Sequence, residues 1–306
     1  MSSAAAAAAA SSSSSSSSSC AVSFFPQEEE MELNKENKKR PSSDSLVQQS
    51  QWQLHNSDPP TVAFARSMDL NRENKKRAIS DSFLQWSQWQ LLDSILPTGG
   101  FAHSFGLEAA IQARIVSCPE DLQTFVIHLL ENTGSLLLPF VYSTTMSPDF
   151  ENRRKLDKML DAMLTNEVSR KASISQGSAL MRVAASVYSE IPSLKSMREA
   201  SLSSGVVSFH HAPMFGVICG LLGLDSATSQ RAYMFITMRD VISAATRLNL
   251  VGPLGAAVLQ HKIASVAEAI LNRWKDRPVE EACQTVALLD IVQGCHGYLF
   301  SRLFCS

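Results

Sequence analysis

From Phe83 onward the apolar residues recur every three or four positions and never alternate, which is the helical period rather than the strand period. The first run, Phe83, Trp86, Trp89 and Leu91, is stopped by Pro97. The next opens at Pro119, whose missing N–H costs nothing in a first turn, and Glu120 and Asp121 follow where the helix dipole favours negative charge. Leu122, Phe125, Val126, Leu129 and Leu130 then make one apolar face. Ser147, Pro148 and Asp149 repeat that start signal ahead of Leu156, Met159, Leu160, Met163 and Leu164. In TNEVSRKASISQGSALMRVAASVY the face is Ile174, Leu180, Met181, Ala184 and Val187, and Ala172, Ser173, Gly177, Ser178 and Ala179 allow another helix to come close. Further helices are predicted after Pro213, from about Asp225 to Leu248, from Pro253 to Trp274 and from Pro278 to Val292. No stretch predicts a sheet. The fold class is all-α, a single multi-helix domain with too many helices for a simple four-helix bundle.

The domain starts near Ser80, because residues 1–79 have a different character. MSSAAAAAAASSSSSSSSSC offers too little apolar variety to offset the entropy of ordering it, so a disordered low-complexity extension is expected. With no Lys or Arg before Lys35 it fits neither a transit peptide nor a secretory signal. Within it, MELNKENKKRPSSDSLVQQSQWQL at 31–54 recurs as MDLNRENKKRAISDSFLQWSQWQL at 68–91. Only the second copy runs on into periodic sequence, so this is a duplicated segment rather than a repeat architecture.

Charge removes some functions. With 27 basic and 29 acidic residues the net charge is −2, which gives no electrostatic footprint for nucleic acid or an acidic membrane. MFGVICGLLGL is too short for a membrane span, and VISAATRLNLVGPLGAAVLQ is interrupted by Arg247, Asn249 and Pro253. The six cysteines form no CxxC pair and fit reduced thiols in an intracellular, cytoplasmic setting.

The candidate chemistry centres on LPTGGFAHSFGLE, residues 96–108. It lacks the lysine and preceding strand of a phosphate loop, and HSFG lacks the first glycine and the strand of a nucleophile elbow. It predicts a helix-to-helix corner in which Pro97 ends one helix, Gly99 and Gly100 take turn dihedrals, and Phe101, Phe105 and Leu107 pack. His210 and His211 are adjacent, and His296 follows Cys295. Neighbours on a helix point apart, so these are weak metal candidates and no metal site is assigned. Two readings stay open beside a domain without an active site: a helical metal-dependent hydrolase or nickel-binding protein using His103, Ser104 and Glu108, and a general helical scaffold.

Five stretches in order, SILPTGGFAHSFGLE, TNEVSRKASISQGSALMR, HHAPMFGVICGLLGL, SAATRLNLVGPLGAAVLQ and LLDIVQGCHGYLFSRLFCS, together resemble the urease accessory protein UreF family, most closely its plant form. The resemblance spans residues 82–306, and no single stretch would carry it alone. It implies an all-helical protein that is no enzyme itself. The implied role is an adaptor that binds UreD (also called UreH), joins apo-urease and recruits the GTPase UreG for GTP-dependent nickel insertion, with possible modulation of that GTPase. It also implies a homodimer within the complex, no cofactor bound by this chain alone, and nickel and GTP handled by the partners. By motif position, Tyr298, Arg302, Leu303 and Phe304 would meet UreD, while Arg247, Gly252, Pro253 and Glu108 would face UreG. Pro97, Gly99, Gly100 and His103 would shape the turn, and His210, His211 and His296 are the groups to inspect for nickel.

Overall fold

The structure, a computed structural model, describes residues 85–204 and 209–306; the expected extension 1–79, its first duplicated copy and the domain start at Ser80 lie outside these residues. Every long element among the described residues is helical, as the apolar period predicts. Residues 85–92 form α1, followed by α2 (Leu107–Gln112), α3 (Pro119–Asn132), α4 (Leu138–Met146), α5 (Phe150–Met163) and α6 (Glu167–Val187). Then come α7 (Pro192–Ser204), α8 (His211–Leu221), α9 (Ser226–Arg247), α10 (Pro253–Trp274) and α11 (Ala287–Cys295).

Local chemistry fixes most boundaries. Asp149, Asn166 and Asp225 each accept a hydrogen bond from a backbone N–H in the first turn that follows, capping α5, α6 and α9. At the end of α9, Asn249 takes φ 58°, its N–H donates to the Thr246 carbonyl and that of Leu250 to the Ala245 carbonyl, the paired closure that ends helices. Gly252 and Pro253 then start α10.

α8 is the centre of the packing: His211–Leu221 is buried along nearly its whole length, against α4 on one side and α6 on the other. Backbone-to-backbone approach makes this possible. A Cβ added at Gly216 would lie 2.1 Å from Thr144 Oγ1, and one at Gly177 of α6 would lie 2.0 Å from the Phe209 carbonyl oxygen. The small-residue run of α6 is thus used as the sequence suggests. Below it, Arg153 is fully buried, pairs with Asp157 and stacks 4.5 Å from the centre of the Phe209 ring. Asp157 also accepts from the His210 N–H at 3.1 Å, tying the start of α8 to α5. Burial pushes the Asp157 carboxyl up to about 7 in spite of the adjacent guanidinium.

Three features depart from the sequence reading. The helix expected from Pro278 to Val292 is a short 3-10 turn, Val279–Glu281, an irregular stretch at 282–286, and then α11. The irregular stretch is held by bonds to the end of α3 and to the π-helical segment Thr133–Leu137 between α3 and α4. There the Ser135 carbonyl accepts from the Cys283 N–H at 3.1 Å, and Asn132 Oδ1 accepts from the Thr285 N–H. Those amides bond across to another helix rather than within their own. Second, α7 was not predicted, although Pro192 stands in its first turn. Third, Pro119–Met146 and Pro253–Trp274 are both long and apolar enough to cross a membrane. The apolarity of the first is spent in the core, where Leu122, Val126, Leu130, Leu138, Phe140 and Val141 are fully enclosed.

Two glycine substitutions separate the tight contact from the open one. Gly177→Ala should lower stability by about 2–3 kcal/mol or more through overpacking against backbone, whereas Gly252→Ala, at φ −74° with nothing within 4 Å of its Cβ, should stay within about 0.5 kcal/mol. Urea midpoints at constant m-value check both.

Candidate functional site

The stretch 96–108 is a corner, as its glycines and proline predict, and it is occupied by the chain's own carboxy-terminal residues. α1 gives way to turns at Asp93–Leu96, and Gly99 takes φ 85° before the 3-10 turn Gly100–Ala102. Gly100 has a different reason from the expected one: its dihedrals are ordinary, but a Cβ there would lie 2.3 Å from Asp240 Oδ2. Gly106, at φ 83°, performs the second turn and packs against Gln293 of α11.

Into this corner come residues 302–306. The Ser104 N–H and hydroxyl both donate to the Ser306 carbonyl oxygen, at 2.7 and 2.6 Å. His103 Nδ1 lies 2.8 Å from Ser306 Oγ, and the Cys305 N–H donates to the Ala102 carbonyl. One helical turn on, Glu108 is 4% exposed, and its carboxylate accepts from the Leu303 N–H at 2.6 Å, the Phe304 N–H at 3.1 Å and His296 Nε2 at 3.0 Å. Three donors from two segments 188 to 196 positions away converge on one side chain. That arrangement satisfies a group that would be costly to bury alone.

Arg247, at the end of α9, closes the other side. Its guanidinium lies 3.6 Å from the centre of the Phe101 ring and 4.3 Å from that of Phe304, and Nη1 donates to the Phe101 carbonyl at 2.6 Å. Phe101 therefore covers an arginine and stays largely exposed, rather than packing in the core as expected. Cation–π contacts of this kind contribute about 0.5–2 kcal/mol each, depending on desolvation. Arg247 joins the α9–α10 turn, with its exposed Gly252 and Pro253, to the ring that anchors the carboxy-terminal segment.

The segment has two faces. Phe304 and Ser306 are buried, while Tyr298, Phe300 and Leu303 are exposed by 92%, 106% and 62%, with Arg302 also exposed. Leu288 and Ile291 of α11 add exposed apolar area. Of the four residues singled out there from sequence, the structure thus turns Tyr298, Arg302 and Leu303 outward and Phe304 inward. Glu108, expected on the same face as Arg247, Gly252 and Pro253, has no exposed carboxylate and serves the segment instead. Phe300, the most exposed of these side chains, was not singled out from sequence.

The histidines are brought to one interior but not to one chelate. Burial, helped by the nearby His296, lowers His103 to about 4, and burial lowers His211 to about 3. His211 lines a partly open cavity of about 100 Å³, also bordered by Tyr233, Asp240, Gln176, Gln293 and Ser306, and its Nδ1 lies 3.3 Å from the Tyr233 hydroxyl. Burial raises the Asp240 carboxyl, against the pull of Arg239. His210 turns the other way, to Ser173 at 3.1 Å and Asp161 at 3.3 Å. Among the described residues no three His, Cys, Asp or Glu side chains gather as a metal-holding group. Ser104, His103 and Glu108 direct their polar atoms at the carboxy-terminal segment, so the trio forms no nucleophile and base relay here.

Comparison with known proteins adds a second line of observation. The profile of the UreF family matches residues 116–264. The chain is 68% identical over 262 residues to urease accessory protein F of Arabidopsis thaliana, covering 86% of this chain and 94% of that protein. It is 67% identical over 199 residues to urease accessory protein F of Oryza sativa subsp. indica, covering 65% and 76%. With urease accessory protein UreF of Trichodesmium erythraeum the identity is 28% over 196 residues, covering 63% and 84%.

Glu108→Gln replaces an acceptor by a group whose NH₂ faces N–H donors, and is expected to cost about 2–4 kcal/mol. Hydrogen exchange should show the loss as faster labelling of residues 299–306 while α8 stays protected. The pH dependence follows from His103, whose folded-state value near 4 lies below its ordinary 6.5. The folded protein keeps this ring neutral while the unfolded chain takes up a proton first. Stability is therefore full above about pH 6.5 and falls as pH drops toward 4. His103→Asn should flatten that part of a plot of thermal midpoint against pH.

Proposed function

The chain belongs to the UreF family of urease accessory proteins, and from that premise we propose that it is a non-catalytic adaptor in urease maturation. In this reading it binds UreD (UreH) and recruits the GTPase UreG to apo-urease for GTP-dependent nickel insertion in the cytoplasm. Nickel and GTP are the cargo and fuel of the partner complex, and this chain itself holds no resident cofactor. It contributes surfaces, and as a homodimer it would present each surface twice.

The observation that carries the reading is the two-faced carboxy-terminal segment. Phe304, Ser306 and the Glu108 bonds hold it, and Tyr298, Phe300, Arg302 and Leu303 are set outward on that support. Aromatic and arginine side chains held in place are the usual anchors of a protein interface, since little ordering entropy remains to be lost when a partner closes over them. These residues are assigned to UreD. The α9–α10 turn, with Arg247 beneath it and Gly252 and Pro253 exposed, is assigned to UreG. Arg247 touches the anchor ring Phe304 and the turn at once, so it is a positioning residue between the two surfaces. Phe304 acts as anchor and Glu108 as its support, each through the residues they hold.

The hydrolase and nickel-binding alternatives built on His103, Ser104 and Glu108 gain no supporting observation, since those polar atoms are already engaged by the segment.

Co-purification with UreD tests the assignment. Tyr298→Ala combined with Phe300→Ala should lose at least about tenfold in affinity, a little over 1 kcal/mol, with helicity by circular dichroism unchanged. Unchanged binding in that variant would move the UreD surface elsewhere on the molecule.

A further inference from the structure

Trp274 carries the Arg277 guanidinium 4.5 Å from its ring centre, and the exposed Phe101 carries that of Arg247 at 3.6 Å. Among the described residues Trp86 and Trp89 carry none, although they are 67% and 60% exposed. They stand three residues apart on one face of α1 and meet edge to face, centroids 5.4 Å apart with 77° between the ring planes. α1 is held by other groups: Leu91 is buried, the Tyr188 hydroxyl donates to the Ser87 carbonyl at 3.3 Å, and Arg239 Nη1 donates to the Leu92 carbonyl. The two indoles are thus presented to solvent on a fixed helix.

The pair borders an open cleft of about 390 Å³ whose walls include Asp93, Val187, Tyr188 and Glu190. No Lys or Arg lines it, and both acidic residues are exposed. α6 ends here at Val187 with no basic residue in its last turn, so the negative end of its dipole adds to the two carboxylates. Indole faces, carboxylates and a helix carboxy-terminus all favour one kind of occupant, a cation. The cleft is too open to enclose most of a small molecule, as a small-ligand pocket does, whereas an extended chain can lie along it.

We propose that this cleft is a docking surface for an arginine-bearing basic segment of a protein partner. A guanidinium stacks flat on an indole face while its N–H groups donate to a carboxylate, a combination that the compact ammonium of lysine does not offer. The same negative potential repels nucleic acid and anionic lipid. The adaptor reading gives α1 no role, so this surface goes beyond that reading and does not depend on it.

Fluorescence anisotropy of labelled hexa-arginine and hexa-glutamate with the full chain, at about 50 mM salt, tests the proposal. Hexa-arginine should bind and hexa-glutamate should not. Trp86→Leu combined with Trp89→Leu should weaken hexa-arginine at least about tenfold, with helicity by circular dichroism unchanged. Asp93→Asn combined with Glu190→Gln should weaken it similarly, while Glu120→Gln combined with Glu280→Gln, at exposed carboxylates that do not line the cleft, should leave it unchanged. If the tryptophan variant loses helicity, the Asp93 and Glu190 variant decides. Failure of hexa-arginine to bind, or equal affinity in the parent and the cleft variants, would overturn the proposal. So would adsorption to phosphatidylcholine vesicles without hexa-arginine binding, which would assign the tryptophan pair to lipid.

Discussion

A carboxylate with almost no access to water has to be met by donors, and Glu108 is met by three from the far end of the chain. That single requirement orders the carboxy-terminal segment. The amides of Leu303 and Phe304 must face inward to reach the two oxygens, which drives the Phe304 ring under Arg247 and leaves the side chain of Leu303 on the outside. His296 is drawn to the same carboxylate, which sets the orientation of α11's end. The corner at 96–108, the last turn of α11 and the end of α9 are thereby parts of one polar cluster. The surface assigned to partners is the reverse side of that cluster.

The helices were legible because their cause is local. The bounds read from sequence, about Asp225 to Leu248 and Pro253 to Trp274, match α9 and α10 to within a residue. The corner was legible too, from Pro97 and the glycines. Its occupant was not, because the bonds from Ser104 to Ser306 and from Glu108 to Phe304 join positions about two hundred apart, and periodicity carries no information at that range. Gly100 illustrates the limit: glycine was read as a need for unusual dihedrals, when the need was room for Asp240. The misplaced helix after Pro278 has the same origin. Thr285 and Cys283 spend their amides on Asn132 and Ser135, partners that no local rule could supply.

Adjacent residues with opposite tasks recur across the molecule. His210 serves the α5–α6 side and His211 the cavity; Phe304 faces in and Leu303 out. In each pair one residue fixes the backbone and so determines what its neighbour presents. An adaptor needs that property, since a recognition residue on an unsupported segment would lose in ordering what it gains in contact.

The π-helical segment Thr133–Leu137 carries a further consequence, one of angular phase. One extra residue in the winding turns every later side chain by about 100° relative to the frame set at Pro119. The first half of this continuous rod addresses α9 and α10, and the second half addresses α8 and α9. Removing a single residue there would shorten the rod by little, yet it would rotate Phe140, Val141 and Thr144 off their neighbours. At the middle of this rod a change in the number of residues therefore disturbs more than a substitution that keeps the count.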